Sequence, residues 1–99
     1  MSEAQHCYRL WCGIDVAAKT FTVCWTSDRN TYTSPLTLPQ TAAGVGALQQ
    51  QLYALAIPAS DTLIVLEATG SYWISLAVAL HAAGFGVTVG LQFDRKVIQ

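Results

Sequence analysis

Two carboxylates in unusual places carry the chemistry of this sequence. Asp15 stands in the apolar run Trp11-Cys12-Gly13-Ile14-Asp15-Val16, and Glu67 closes Leu63-Ile64-Val65-Leu66-Glu67. An isolated buried carboxylate is very costly, so an acid on an apolar strand needs a partner. Two hard oxygen donors converging on one place suit Mg2+ or Mn2+. A pair of such ions stabilises both the attacking and the leaving oxygen of a phosphodiester. Two carboxylates alone hold a metal pair poorly, so this reading calls for further acids. A purely structural reading stands beside it. Asp15 would accept N–H bonds from a hairpin turn, and Glu67 would sit at the N-terminus of the following helix, where negative charge is favoured. Lys19 would pair with Asp15, touch phosphate, or stand in water as an ordinary turn lysine. Thr69 and Gly70 read as turn residues.

These acids need elements to carry them. Tyr8–Val16 reads as a first strand. Alternation puts Leu10, Cys12, Ile14 and Val16 on one face and Trp11, Gly13 and Asp15 on the other, with Gly13 leaving room beside Asp15. Ala17-Ala18-Lys19 leads to a second strand, Thr20–Ser27, and so short a link implies an antiparallel hairpin. Beyond the turn Asp28-Arg29-Asn30, Thr31–Leu38 reads as a third strand that Pro35 confines to an edge. Thr41 is a candidate N-cap for a helix carrying Val45, Leu48, Leu52 and Leu55 at helical spacing, stopped by Pro58. Thr62–Glu67 is a continuous apolar strand, of the kind covered on both faces. Ser71 is a candidate cap for a second helix, Tyr72–Ala83, apolar nearly all round and expected to be well buried, with Gly84 at its end. Phe85–Leu91 is a fifth strand.

The order β-β-β-α-β-α-β describes an α/β fold. Right-handed crossovers place the fourth and fifth strands beside the first and parallel to it, giving a mixed five-stranded sheet flanked by helices. Asp15 and Glu67 then end neighbouring parallel strands, and open sheets of this kind bind ligands beyond the carboxyl ends of their strands.

Composition narrows the field. Ninety-nine residues suit one domain, and 53% hydrophobic with 11% charged residues argues against disorder. A net charge of −1 leaves no global footprint for nucleic acid or membrane, although a local site or another domain could supply positive charge. Cys7, Cys12 and Cys24 lie in or beside apolar strand patterns and read as buried small hydrophobes in a reducing compartment. Met1–His6 has no signal-peptide pattern, and Leu76–Leu91 is too short and too interrupted to span a membrane, so a soluble, cytoplasmic protein is expected. The expected layout is a disordered segment at 1–7, a folded domain at 8–91 and a tail at 92–99.

The motifs Gly13-Ile14-Asp15-Val16-Ala17-Ala18-Lys19, Leu38-Pro39-Gln40-Thr41-Ala42-Ala43-Gly44, Glu67-Ala68-Thr69-Gly70-Ser71-Tyr72 and Gly84-Phe85-Gly86-Val87, with Leu48, Leu76, Ala77 and Leu80 between them, resemble a known succession. It is that of the N-terminal DEDD (RuvC-like) domain of the IS-one-ten family of insertion-sequence transposases, and it covers nearly everything from Trp11 to Val89. The resemblance implies an RNase H-like fold and a DNA recombinase of mobile elements. In that family four acids, Asp, Glu, Asp, Asp, bind divalent metal, a separate C-terminal domain supplies a serine, and an element-encoded guide RNA directs target choice. Asp15 matches the first acid and Glu67 the second, which makes them the catalytic and metal-ligand positions, with Mg2+ or Mn2+ as the ion. The third and fourth acids belong to a later helix. Where the family continues with Asn-Pro, this sequence has Leu91-Gln92, the tail at 92–99 is expected not to match, and Asp94 is read as a surface residue of an unrelated or frameshifted tail, not the third acid. The expectation is a truncated domain lacking its final helix, binding metal weakly and inactive alone. Its partners would be DNA, guide RNA, and a second copy or a full-length transposase. Two other functions compete: a module that interferes with full-length transposase through exposed apolar surface, and an ATP-binding domain of the sugar-kinase and actin class. The latter places glycine and threonine straight after its Asp, where this chain has Val16-Ala17-Ala18-Lys19.

Overall fold

A seven-residue strand, β1 (Leu10–Val16), forms the middle of the sheet. The computed structural model describes residues 7–67 and 70–90. In it β1 pairs antiparallel with β2 (Thr20–Thr26) and parallel with β4 (Thr62–Glu67). Strand β3 (Leu36–Pro39) lies antiparallel outside β2, and β5 (Gly86–Gly90) lies parallel outside β4, giving the order β3-β2-β1-β4-β5. This is the mixed five-stranded α/β sheet that the element order implies. Residues 1–6, Ala68-Thr69, Leu91 and the tail 92–99 lie outside the described residues.

One sheet face builds the core. Leu10, Cys12, Ile14 and Val16 of β1 meet Phe21 and Val23 of β2 and Ile64 and Leu66 of β4, all buried. Helix α1 (Ala42–Tyr53) adds Leu48 and Leu52, and helix α2 (Ile74–Ala82) adds Leu76 and Leu80. Each such side chain contributes roughly 1.5–3 kcal/mol when fully buried. Both helices therefore pack on the same face. The chain steps from β3 to β4 and from β4 to β5 in one direction across the sheet. Two right-handed crossovers that step the same way must lie on the same side. The other face carries Trp11, Gly13 and Asp15 of β1, Leu63, Val65 and Glu67 of β4, and Thr22, Cys24 and Thr26 of β2. No helix covers it among the described residues. On this face Leu63 and Val65 are half-buried, while Gly13, Cys24 and Thr26 are buried.

Local chemistry explains where the elements stop. Thr41 caps α1, its hydroxyl accepting from the Gly44 N–H at 3.1 Å. A Cβ on Gly44 would fall on the Pro39 carbonyl oxygen, so only glycine fits that first turn. Helix α1 ends at Tyr53, before Pro58 is reached, and the chain leaves through Ala56 in the left-handed region at φ 60°. A short 3-10 turn, Ala59–Asp61, precedes β4. Helix α2 ends as anticipated, in a Schellman motif. Gly84 (φ 96°) donates to the His81 carbonyl, and Phe85 donates to that of Leu80.

Three expectations are corrected. The third strand begins at Leu36, not Thr31, because Pro35 removes a donor and Thr33 meets β2 differently. The Thr33 N–H donates to the Trp25 carbonyl, and its hydroxyl accepts from the Trp25 N–H. Ser71 does not cap α2, which begins at Ile74 behind Trp73 with no side-chain cap. The helix is not well buried either, since Ile74 is 46% and Val78 is 64% exposed.

Candidate metal centre

Asp15 and Glu67 are register partners on the parallel strands β1 and β4. Such partners stand ~4.8 Å apart at the backbone and point to the same side of the sheet. Both lie on the helix-free face, at the carboxyl ends of their strands. Asp15 is exposed and Glu67 half-buried. Gly13 precedes Asp15 on the same face and presents no side chain. The structure thus brings together two acids that lie about fifty residues apart in the chain.

Neither carboxylate has a hydrogen-bond or ion-pair partner among the described residues. Thr22, the register partner of Asp15 on β2, is engaged elsewhere, its hydroxyl lying 3.0 Å from that of Thr37. Lys19 is exposed and forms no ion pair among the described residues. Glu67 does not cap α2, whose first turn holds no acid. Among the described residues the two acids thus act neither as turn acceptor nor as helix cap. Gly70, at φ 65°, makes a turn whose carbonyl accepts from the Trp73 indole N–H at 3.0 Å.

The other candidate ligands stand apart. No group of three or more His, Cys, Asp or Glu side chains that could hold a metal occurs among the described residues. Cys12 and Cys24 are buried while Cys7 is exposed, which corrects the expectation that all three are buried. Burial pushes the Cys12 thiol far up, with Cys24 beside it adding to the effect, and burial raises Cys24 as well. Neutral thiols are poor metal ligands.

Sequence reasoning passed over Gln40, which sits between β3 and α1. Its N–H donates to the Lys19 carbonyl at 2.8 Å, and its side-chain amide donates to the carbonyls of Ala17 at 2.9 Å and Tyr72 at 3.1 Å. Its only signal in the sequence was its place in the motif Leu38-Pro39-Gln40-Thr41.

A family model of the DEDD transposases of IS110 (IS-one-ten) elements, described as a transposase, matches residues 12–94. The chain belongs to this transposase family. No curated protein matches it. The family acts in DNA transposition, and the five-stranded sheet with its two helices is compatible with the RNase H-like fold. The match starts at Cys12 within β1, spans Asp15 and Glu67, and reaches Asp94. No helix among the described residues of this transposase domain is long and apolar enough to cross a membrane.

Proposed function

We propose that Asp15 and Glu67 are two ligands of a divalent-metal site with which this transposase domain works on DNA phosphodiesters. One observation carries the reading: two acids without partners among the described residues face the same way from adjacent positions at the ends of parallel strands. The donor chemistry fits Mg2+ or Mn2+, which take a few carboxylate oxygens and fill their remaining positions with water and phosphate. The bound ion would supply charge stabilisation at the attacking and leaving oxygens. The residues of the chain do the rest: Asp15, exposed, and Glu67, half-buried, hold the ion at the carboxyl ends of their strands.

We further infer that this chain holds the ion weakly and does not cut DNA by itself, because its described residues bring only two carboxylates together there. The test is incubation with Mn2+ or Mg2+ and single-stranded, duplex or branched DNA, beside a titration of Mn2+ binding by electron paramagnetic resonance. Weak binding that Asp15→Ala and Glu67→Ala each remove, with no cleavage, is the expected result. Robust cleavage that disappears in Asp15→Ala would overturn the inactivity. Mn2+ binding indifferent to both substitutions would overturn the metal site.

A second reading rests on α2 and the turn before it. Tyr72, Ile74 and Val78 expose apolar surface, as a module that captures full-length transposase would. Absence of any complex at micromolar concentration, with full-length transposase or with its guide RNA alike, would remove it.

A further inference from the structure

We propose that Gln40 is a positioning residue, whose side-chain amide ties together the two loops that leave the acid-bearing strands and so sets the spacing of Asp15 and Glu67. The inference rests on the metal reading of those acids and adds what holds them in place. Ala17 follows Asp15 by two residues, and Tyr72 follows Glu67 by five. One Nε2 group donates to the carbonyl of each, at 2.9 and 3.1 Å. Two carbonyl acceptors fix the amide orientation, because the flipped group would set its own oxygen against both. The Gln40 N–H adds a third tie, to the Lys19 carbonyl at 2.8 Å. One residue thus fastens the β1–β2 hairpin loop on one side and the segment leading into α2 on the other.

Gln40 is not needed for the local structure around it, since Thr41 already caps α1. Ala17 is also held by its N–H bond to the Thr20 carbonyl at 2.9 Å, but the segment before α2 has few other holds. Helix α2 begins without a side-chain cap, and the Ile74 N–H reaches the Ser71 carbonyl only at 3.3 Å. Asp15 and Glu67 have no protein partner among the described residues, so their separation is set by the backbones on which they stand. A small divalent ion demands near-ideal ligand distances, and shifts of about 1 Å disable such sites. The β1–β4 ladder sets the two backbones side by side, and a cross-tie two residues beyond the first acid and five beyond the second holds the strand ends that present their carboxylates.

The test uses the whole chain with Gln40→Met, which keeps the length of the side chain and removes both donors. Gln40→Asn, too short to span the two carbonyls, serves if the methionine form does not fold. Amide hydrogen exchange is followed at Ala17–Thr20 and Ser71–Trp73, and Mn2+ binding by paramagnetic resonance. The expected result is faster exchange in both loops together, roughly tenfold for the lost bonds, with the core strands unchanged. The Mn2+ dissociation constant should rise roughly tenfold or more, the usual effect of losing an outer-shell support. Loosening of one loop only, or of neither, overturns the proposal. So does a Mn2+ affinity equal to wild type in a protein whose Asp15→Ala variant has lost binding, because Gln40 would then be a structural pin alone. Wild-type protein that binds no Mn2+ overturns the metal reading instead, and the exchange result then decides whether Gln40 couples the two loops.

Discussion

Removing one charge from the Asp15–Glu67 pair should stabilise the metal-free protein. The two carboxylates face the same way from adjacent strands, and no described cation or N–H group offsets them. Two unit charges ~5 Å apart repel by about 0.8 kcal/mol in water, and Asp15 is exposed enough for the aqueous value to apply. Asp15→Asn keeps the shape and removes the repulsion. Its urea unfolding free energy should rise by about 0.5–0.8 kcal/mol, equivalent to roughly 3–6 °C in thermal midpoint for a domain of this size. The gain should shrink toward zero in 1 M NaCl, where the screening length falls to about 3 Å. Divalent metal should reverse the ranking. At ten times its dissociation constant, Mn2+ stabilises the wild-type fold by about 1.4 kcal/mol, and the asparagine variant by much less. Two outcomes would refute the reasoning: a loss of stability in metal-free Asp15→Asn, which would mean that the carboxylate had a structural partner, or equal stabilisation of both proteins by the ion.

Two glycines of α1 should respond to alanine with opposite signs. Gly46 has open space where a Cβ would stand, so Gly46→Ala should gain about 0.5–1 kcal/mol in urea unfolding. Gly44→Ala drives the Cβ onto the Pro39 carbonyl and should lose about 1–3 kcal/mol, with the β3–α1 junction the first region to exchange. Ala56 sits in the left-handed region, so Ala56→Gly should stabilise by about 0.5–1 kcal/mol, read from the denaturant midpoint. Alkaline pH should weaken the fold through Cys12, whose thiol keeps its proton in the folded state well above its ordinary value of 9.0. The unfolded chain releases that proton first, so the contribution is complete below pH 9 and is lost above it, by up to about 1.4 kcal/mol per pH unit. Cys12→Ala should flatten that slope between pH 9 and 10.5, although its stability at neutral pH is lower.

The most legible part of the fold was the part that carries the acids. Thr62–Glu67 reads as a strand because it is an unbroken apolar run, and the crossover rule sets it beside the first strand, so that Asp15 and Glu67 end together. The one-sidedness of the helices was also within reach, since it follows from the same rule once both crossovers step the same way. Other features lay beyond local patterns. Thr31–Ser34 has strand-like residues, yet Pro35 and the Trp25 N–H donating to the Thr33 hydroxyl keep it out of the ladder. Ser71 is a typical capping residue, but the turn closed by the Trp73 indole on the Gly70 carbonyl moves the helix start past it. Apolar character all round suggested that α2 is buried, whereas one side of it faces solvent. The role of Gln40 could not be read at all, because its acceptors, Ala17 and Tyr72, come from distant parts of the chain.

The central place of β1 also has a consequence for the order of folding. Its partner on one side arrives through a short hairpin, and its partner on the other arrives after about fifty residues. Closing the longer loop costs about 2 kcal/mol more chain entropy than closing the hairpin. The strand that ends as the most protected in the sheet therefore begins as an exposed edge, lined by unpaired N–H and C=O groups until β4 docks. Pulse-labelled hydrogen exchange during refolding should find the β1–β2 amides protected before those of β1–β4; simultaneous protection would rule this order out. While that edge waits, β4 of another copy fits it as well as its own. Such an exchange would join Asp15 of one chain to Glu67 of a second, a whole site shared between two molecules.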